Sequence, residues 1–177
     1  MVLLLVITVF FTRPATVWAF QPYDVSVYMG EGHAYLVCVS RKVKHRPELL
    51  VTPNRREVDV PIDGSHPLCH LAYLVYRMQI QTRGRWCCTL REQMADPKRA
   101  PEIVTEWLRT ALPPTRLLLP HGRRLSSYSL RIVGISIFSA HHVEAEWICR
   151  WALWRSKDMA ERYTQRDYAR STMHNNF

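Results

Sequence analysis

"SYSLRIVGISIFSAHHVEAEWICRWALW", residues 127–154, holds two adjacent histidines, two glutamates, a cysteine and three tryptophans. Its reading decides whether the C-terminal part of the chain is a reaction centre or a packing and binding element. Val133, Ile135 and Ile137 alternate, as do Val143, Ala145, Trp147, Cys149, Trp151 and Leu153. This period predicts two strands connected near Ser139–His141. On a strand, every second residue shares a face, so His142, Glu144 and Glu146 would lie together with His141 opposite. That set suits a three-ligand zinc geometry, but no HExxH pattern accompanies it. The plainer account is the polar side of an amphipathic strand whose other side carries Val143, Trp147 and Trp151. Trp147 and Trp151 would then pack inward, and Trp154, on the opposite face, is the first candidate for a partner contact.

Working outward, the chain has 177 residues, 47% hydrophobic and 22% charged, enough for one domain or two small ones. "VLLLVITVFF", residues 2–11, is apolar apart from Thr8 and is followed by Arg13-Pro14 and Val17-Trp18-Ala19. The run is too short for a ~30 Å bilayer core. It fits the apolar region of a signal peptide removed after Ala19. No later run is long enough to span a membrane, so the expected product is secreted or held on a surface by other proteins.

Five cysteines, Cys38, Cys69, Cys87, Cys88 and Cys149, are an odd number for an oxidising compartment. Neighbouring cysteines on a strand point to opposite faces, so Cys87 and Cys88 would seek different partners, one of them Cys149. Formal charge is +9, falling to +8 without Arg13. The excess is clumped, above all in "RKVKHR" (41–46), where Arg41, Lys42, Lys44 and Arg46 resemble a weak heparin-binding segment. Polyanions such as heparan sulfate, or an acidic protein, are the expected partners, and nucleic acid is not.

Alternation predicts strands over 34–40 and 24–29, a short one in "EVDVP", another over "LCHLAYLVYRMQIQT" and a last one over "RGRWCCTLRE". "DPKRAPEIVTEWLRTALPP" predicts a helix at about 101–112: Pro101 suits its first turn, and Ile103, Val104, Trp107, Leu108 and Ala111 make one stripe. The Pro-rich stretch after it places a boundary near residue 114. His66, Cys69 and His70 in "HPLCH" lack paired zinc-ligand spacing. No Gly-rich phosphate loop, G-x-S-x-G elbow or paired-carboxylate motif is present, so neither an enzyme nor a cofactor is expected.

"CHLAYLVYRMQIQT", "EWLRTALPPTRLLLPHGRR", "LRIVGISIFSAHHV", "WICRWALW" and "QRDYA" occur in an order that resembles one viral family. This is the cytomegalovirus subunit that combines a chemokine-like N-terminal region with a C-terminal β domain. The resemblance covers roughly residues 34–170. It implies an α+β protein with three units: a signal peptide (1–19), a chemokine-like domain (20–114) with a three-stranded antiparallel sheet and one helix, and a β-rich domain (115–177). It also implies a Cys38–Cys69 disulfide. The family's function would be non-enzymatic assembly with glycoproteins H and L and further small subunits, on the virion envelope, for receptor binding and cell-type-specific entry. Three features depart from the family: the vicinal Cys87-Cys88, the lack of N-x-S/T sequons, and a chain that stops soon after "RDYARST", where relatives continue into a strand with a cysteine. The rival reading is a stand-alone secreted immune-evasion module, either a chemokine mimic or an immunoglobulin-like sandwich. The sandwich would want a core tryptophan between its two cysteine strands, and none lies between residues 38 and 86.

Overall fold

A computed structural model describes residues 1–41, 51–113 and 125–154, with Ser156 and Asp158 beyond them. The described part is a mixed α and β structure built on a three-stranded antiparallel sheet in the order β1-β2-β3. These strands are β1 (Val25–Met29), β2 (His33–Ser40) and β3 (Asn54–Pro61). Val25 faces Cys38, Val27 faces Leu36, and Cys38 faces Arg56 across the two ladders. One side of the sheet therefore collects Val25, Val27, Ala34, Leu36, Cys38 and Val60, all buried. Between β1 and β2 the chain reverses at Gly30-Glu31-Gly32, where Gly32 takes φ +71°, a conformation that glycine adopts without Cβ strain. The expected strands at 24–29, at 34–40 and in "EVDVP" are thus present.

Two further expected strands are helices. "CHLAYLVYRMQIQT" is α3 (Cys69–Thr82), and it packs across the sheet. Its first half is apolar at nearly every position, so a period of two fits it as easily as a helical one. The structure buries Leu71, Ala72 and Val75, one face of a helix, and the straight chains of Arg77, Met78, Gln79 and Gln81 carry the helix onward. Arg83, at φ 50°, and Gly84, at φ 76°, end it. "RWCC" is a 3-10 turn leading into the short helix α4 (Thr89–Gln93). The three-stranded antiparallel sheet is drawn from residues 25–61, and the helix covering it is α3 rather than the one expected at about 101–112.

The helix expected at about 101–112 is α5 (Ala100–Ala111), with Val104 and Leu108 buried and Ile103, Trp107 and Ala111 packed beside them. It lies against α2 (Pro14–Trp18) and α6 (Ser127–Ala140). The stretch read as two C-terminal strands is α6 and α7 (Ala145–Trp151). Ser126 and Ser129 form a reciprocal capping box that starts α6, satisfying end N–H groups that a strand would leave for a neighbouring strand. The boundary near residue 114 lies at the edge of residues 114–124, which are outside the described residues. Among the described residues there is one sheet, so the two facing sheets of an immunoglobulin-like sandwich are not formed.

The N-terminal run is α1 (Val2–Val9), packed between α3 and α6. Val6, Ile7, Phe10, Val17 and Phe20 are fully buried in the main core. A second, smaller cluster joins Phe11 to Ile135, Ile148, Ala152 and Trp154. Among the described residues, no helix is long and apolar enough to cross a membrane.

Candidate functional site

Helix α6 buries Ser127, Ser129, Arg131 and Gly134 together with Ile135, and leaves Tyr128, Ile132, Val133 and Ile137 exposed at 53%, 40%, 42% and 49%. A helix at a solvent boundary ordinarily arranges these classes the other way round. Two of the buried polar side chains are engaged and one is not: Arg131 donates to the Ala152 carbonyl at 2.7 Å and lies 5.1 Å from the centre of the Trp154 ring, Ser129 Oγ accepts from the Ser126 N–H at 3.1 Å, and Ser127 Oγ has no hydrogen-bond partner.

Beside this surface runs a stack of four rings. Phe138, Trp147, Trp151 and Phe10 follow one another at centroid distances of 5.3, 4.8 and 5.7 Å, with interplanar angles of 14–17°. Trp147 is 40% exposed, whereas Trp154 is 7% exposed. This reverses the strand-based assignment, because on a helix 147 and 151 lie one turn apart and 154 follows the helix end into the second cluster. Trp147 is the exposed aromatic, Trp151 is shared between the two clusters, and Trp154 is a core residue.

The stack ends on Arg56, which is 6% exposed. Its guanidinium donates to the carbonyls of Phe10 and Trp151 (the latter at 2.7 Å), to Ser40 Oγ at 2.7 Å and to Cys38 Sγ at 3.8 Å. Phe10 caps α1 and Trp151 closes α7. The cation therefore sits where the negative ends of two helix dipoles meet, which partly offsets the cost of burying it. Burial lowers the Arg56 pKa and pushes the Cys38 thiol up to about 11.

Between the sheet and α3 opens an apolar cavity of about 700 Å³. Val27, Ala34, Val60 and Ala72 form its walls, and the exposed side chains of Met29, Ile62, Tyr73 and Tyr76 also line it. His66, Cys69 and His70 border it as well. The Cys69 thiol donates to the Pro61 carbonyl at 2.9 Å, and His66 Nδ1 accepts from the Leu68 N–H at 3.1 Å. Each is tied to backbone, so this is a receptacle for apolar groups with no coupled thiol and imidazole in those bonds.

The remaining predicted residues are dispersed. Arg41 makes a two-atom contact with the buried carboxylate of Asp24, at 3.0 and 2.8 Å, so it is engaged within the fold. Lys42, Lys44 and Arg46 lie outside the described residues. His141 caps α6, His142 takes φ 59°, Glu144 caps α7, and Glu146 pairs with Arg150 at 2.5 Å. The turn between two helices thus replaces the shared strand face, and among the described residues no group of three His, Cys, Asp or Glu is placed to hold a metal.

No disulfide joins the five cysteines. Cys69 touches Pro61, which faces His33, whereas Cys38 faces Arg56 at the other end of the strand pair. From residue 33 to 38, at about 3.3 Å per residue, is roughly 16 Å, against the ~4–7 Å between Cα atoms that a disulfide requires. The Cys38–Cys69 expectation is therefore corrected. Cys87 and Cys88 are buried in the main core on a 3-10 turn, and Cys149 packs against the second cluster. Desolvation pushes the Cys87 thiol up to about 12 and raises Cys88 as well.

Arg56 and Gly134 were missed from sequence, although Arg56 shares the strand parity of the inward Val58 and Val60. Parity alone would have placed its charge inside. Comparison with family models, characterised proteins and solved structures finds no match to this chain.

Proposed function

We propose that this chain is a non-enzymatic binding subunit of a viral envelope entry assembly. In this reading it is secreted after loss of residues 1–19. It is held at the virion surface by glycoproteins H and L and other small subunits, and it contributes to receptor binding and cell-type-specific entry. The observation that carries the binding role is the outward apolar face of α6. Exposed apolar surface beside polar residues turned inward marks a face that a protein partner covers. Trp147 beside it supplies an aromatic anchor of the kind that dominates interfaces. The viral assembly itself is named by the collinear motifs alone.

Co-expression of the chain with glycoproteins H and L and the other small subunits tests the reading. A purified complex containing this chain is the expected result. If it is secreted alone and never co-purifies with them, the stand-alone secreted module takes its place.

A further inference from the structure

We infer that residues 1–19 fill a helix-binding groove, and that once they are removed this groove receives an apolar helix from a partner subunit. The inference rests on the secretory reading above. Helix α1 shows what the groove accepts. It lies between α3 and α6, its carbonyl end points at two side-chain donors, and it comes close to α6 at one glycine. Trp151 Nε1 donates to the Val9 carbonyl at 3.0 Å, and Arg56 donates to the Phe10 carbonyl. A Cβ at Gly134 would lie 2.2 Å from the Thr8 carbonyl oxygen. The close approach therefore depends on the absence of a side chain there.

Every one of these receptor residues lies beyond position 19 and stays in the processed chain. Removal of α1 takes away one carbonyl partner of a buried guanidinium, the acceptor of the Trp151 indole N–H, and the ring stacked on Trp151. Loss of residues 1–19 also bares Ile135, which packs with Phe11 on the inner side of α6, while the outer side already exposes Ile132, Val133 and Ile137. A buried cation stripped of an acceptor and an open apolar groove are both unfavourable in water. The occupant defined by these features is an apolar helix that ends in the groove. It offers its last carbonyls to Arg56 and Trp151 and places an aromatic ring where Phe10 now stacks. Such a chain completes its core only in the assembly, in the way that a missing element is donated between subunits elsewhere.

The test uses the protein as cells secrete it. The full-length chain is expressed through the secretory pathway and the N-terminus of the product is read by mass spectrometry, with Phe20 expected. The product is then titrated with a peptide of residues 2–12 carrying an N-terminal solubilising lysine tag. Saturable binding is expected, weakened about tenfold or more in Gly134→Ala protein by the overpacked contact. Alanine is the better helix former, so α6 itself does not suffer. The peptide variant Phe10→Ala, which leaves the protein untouched, is expected to bind several-fold more weakly. A product that still begins at Met1, absence of peptide binding, or equal binding by both variants overturns the inference. Peptide binding with no association to glycoproteins H and L would instead overturn the entry reading and leave the groove standing.

Discussion

The side-chain amide of Gln79 pairs with the backbone of Val27 through both of its polar atoms. The Val27 N–H donates to Oε1 at 2.7 Å, and Nε2 donates to the Val27 carbonyl at 3.4 Å. Val27 is on β1, an edge strand of the sheet, so a residue of α3 supplies the bonds that a further strand would make. This satisfies and covers a strand edge that would otherwise be a site for unwanted pairing. Gln79→Leu should cost about 1–3 kcal/mol, because it leaves two part-buried backbone groups without their partners. Urea unfolding of the variant and the parent checks this, and equal midpoints would mean that water replaces the amide without loss.

Arg56→Met should destabilise more strongly, by about 2–4 kcal/mol, since hydrogen bonds from a charged group are lost together. Arg56→Lys should recover little of this, because a single ammonium cannot reproduce a planar fork that reaches two carbonyls and Ser40 Oγ. Thermal unfolding of both variants measures the difference, and full recovery by lysine would show that charge, rather than geometry, holds the junction.

Trp154→Ala should impair folding, at about 3–5 kcal/mol for a buried aromatic, and should lower secretion. Trp147→Ala should leave secretion near normal and reduce co-purification with partner subunits. Secretion yield and pull-down of each variant decide the matter, and the opposite ordering would return the interface to Trp154.

The raised thiols give a pH dependence with a definite sign. Cys38 and Cys87 keep their protons to about pH 11 and 12 in the folded chain, whereas an unfolded cysteine loses its proton near pH ~8.5. Between those values the unfolded state binds fewer protons, so stability falls as pH rises. Their contribution is complete below about pH 8 and is lost through the alkaline range. Unfolding free energy measured from pH 7 to 10.5 should decline, and Cys38→Ser and Cys87→Ser should each flatten the slope. A slope unchanged in both variants would assign the decline to other groups.

The sheet was legible because β3 buries one side and exposes much of the other, while β2 buries Ala34, Leu36 and Cys38 on one side and only Val37 fully on the other, so the alternation is written into "AYLVCVS" and "REVDV". Helix α5 was legible for the complementary reason: its stripe is narrow, and Pro101 and Pro113 punctuate it. Helices α3, α6 and α7 were misread because apolar side chains occupy both of their faces. In α6 the β-branched residues Ile132, Val133, Ile135 and Ile137 favour a strand locally, and packing against α1 overrides that preference. The only local sign of a helix start was the pair Ser126 and Ser129, a weaker capping pattern than one with Glu or Gln at its third position. The groups at the Arg56 junction come from residues far apart in sequence, and no local pattern announces their meeting.

That junction also sets an order of events during synthesis. Arg56 waits for the Trp151 carbonyl, 95 residues further along the chain. A ribosome delivering ~5–20 residues per second needs roughly 5–19 s to supply it. For that interval the sheet and α3 can form, while the guanidinium has only the Phe10 carbonyl, Ser40 Oγ and Cys38 Sγ as acceptors. The N-terminal half is thus exposed for seconds with an unfinished centre, the condition that recruits chaperones. Closure of the fold is a late step, timed by the arrival of α7.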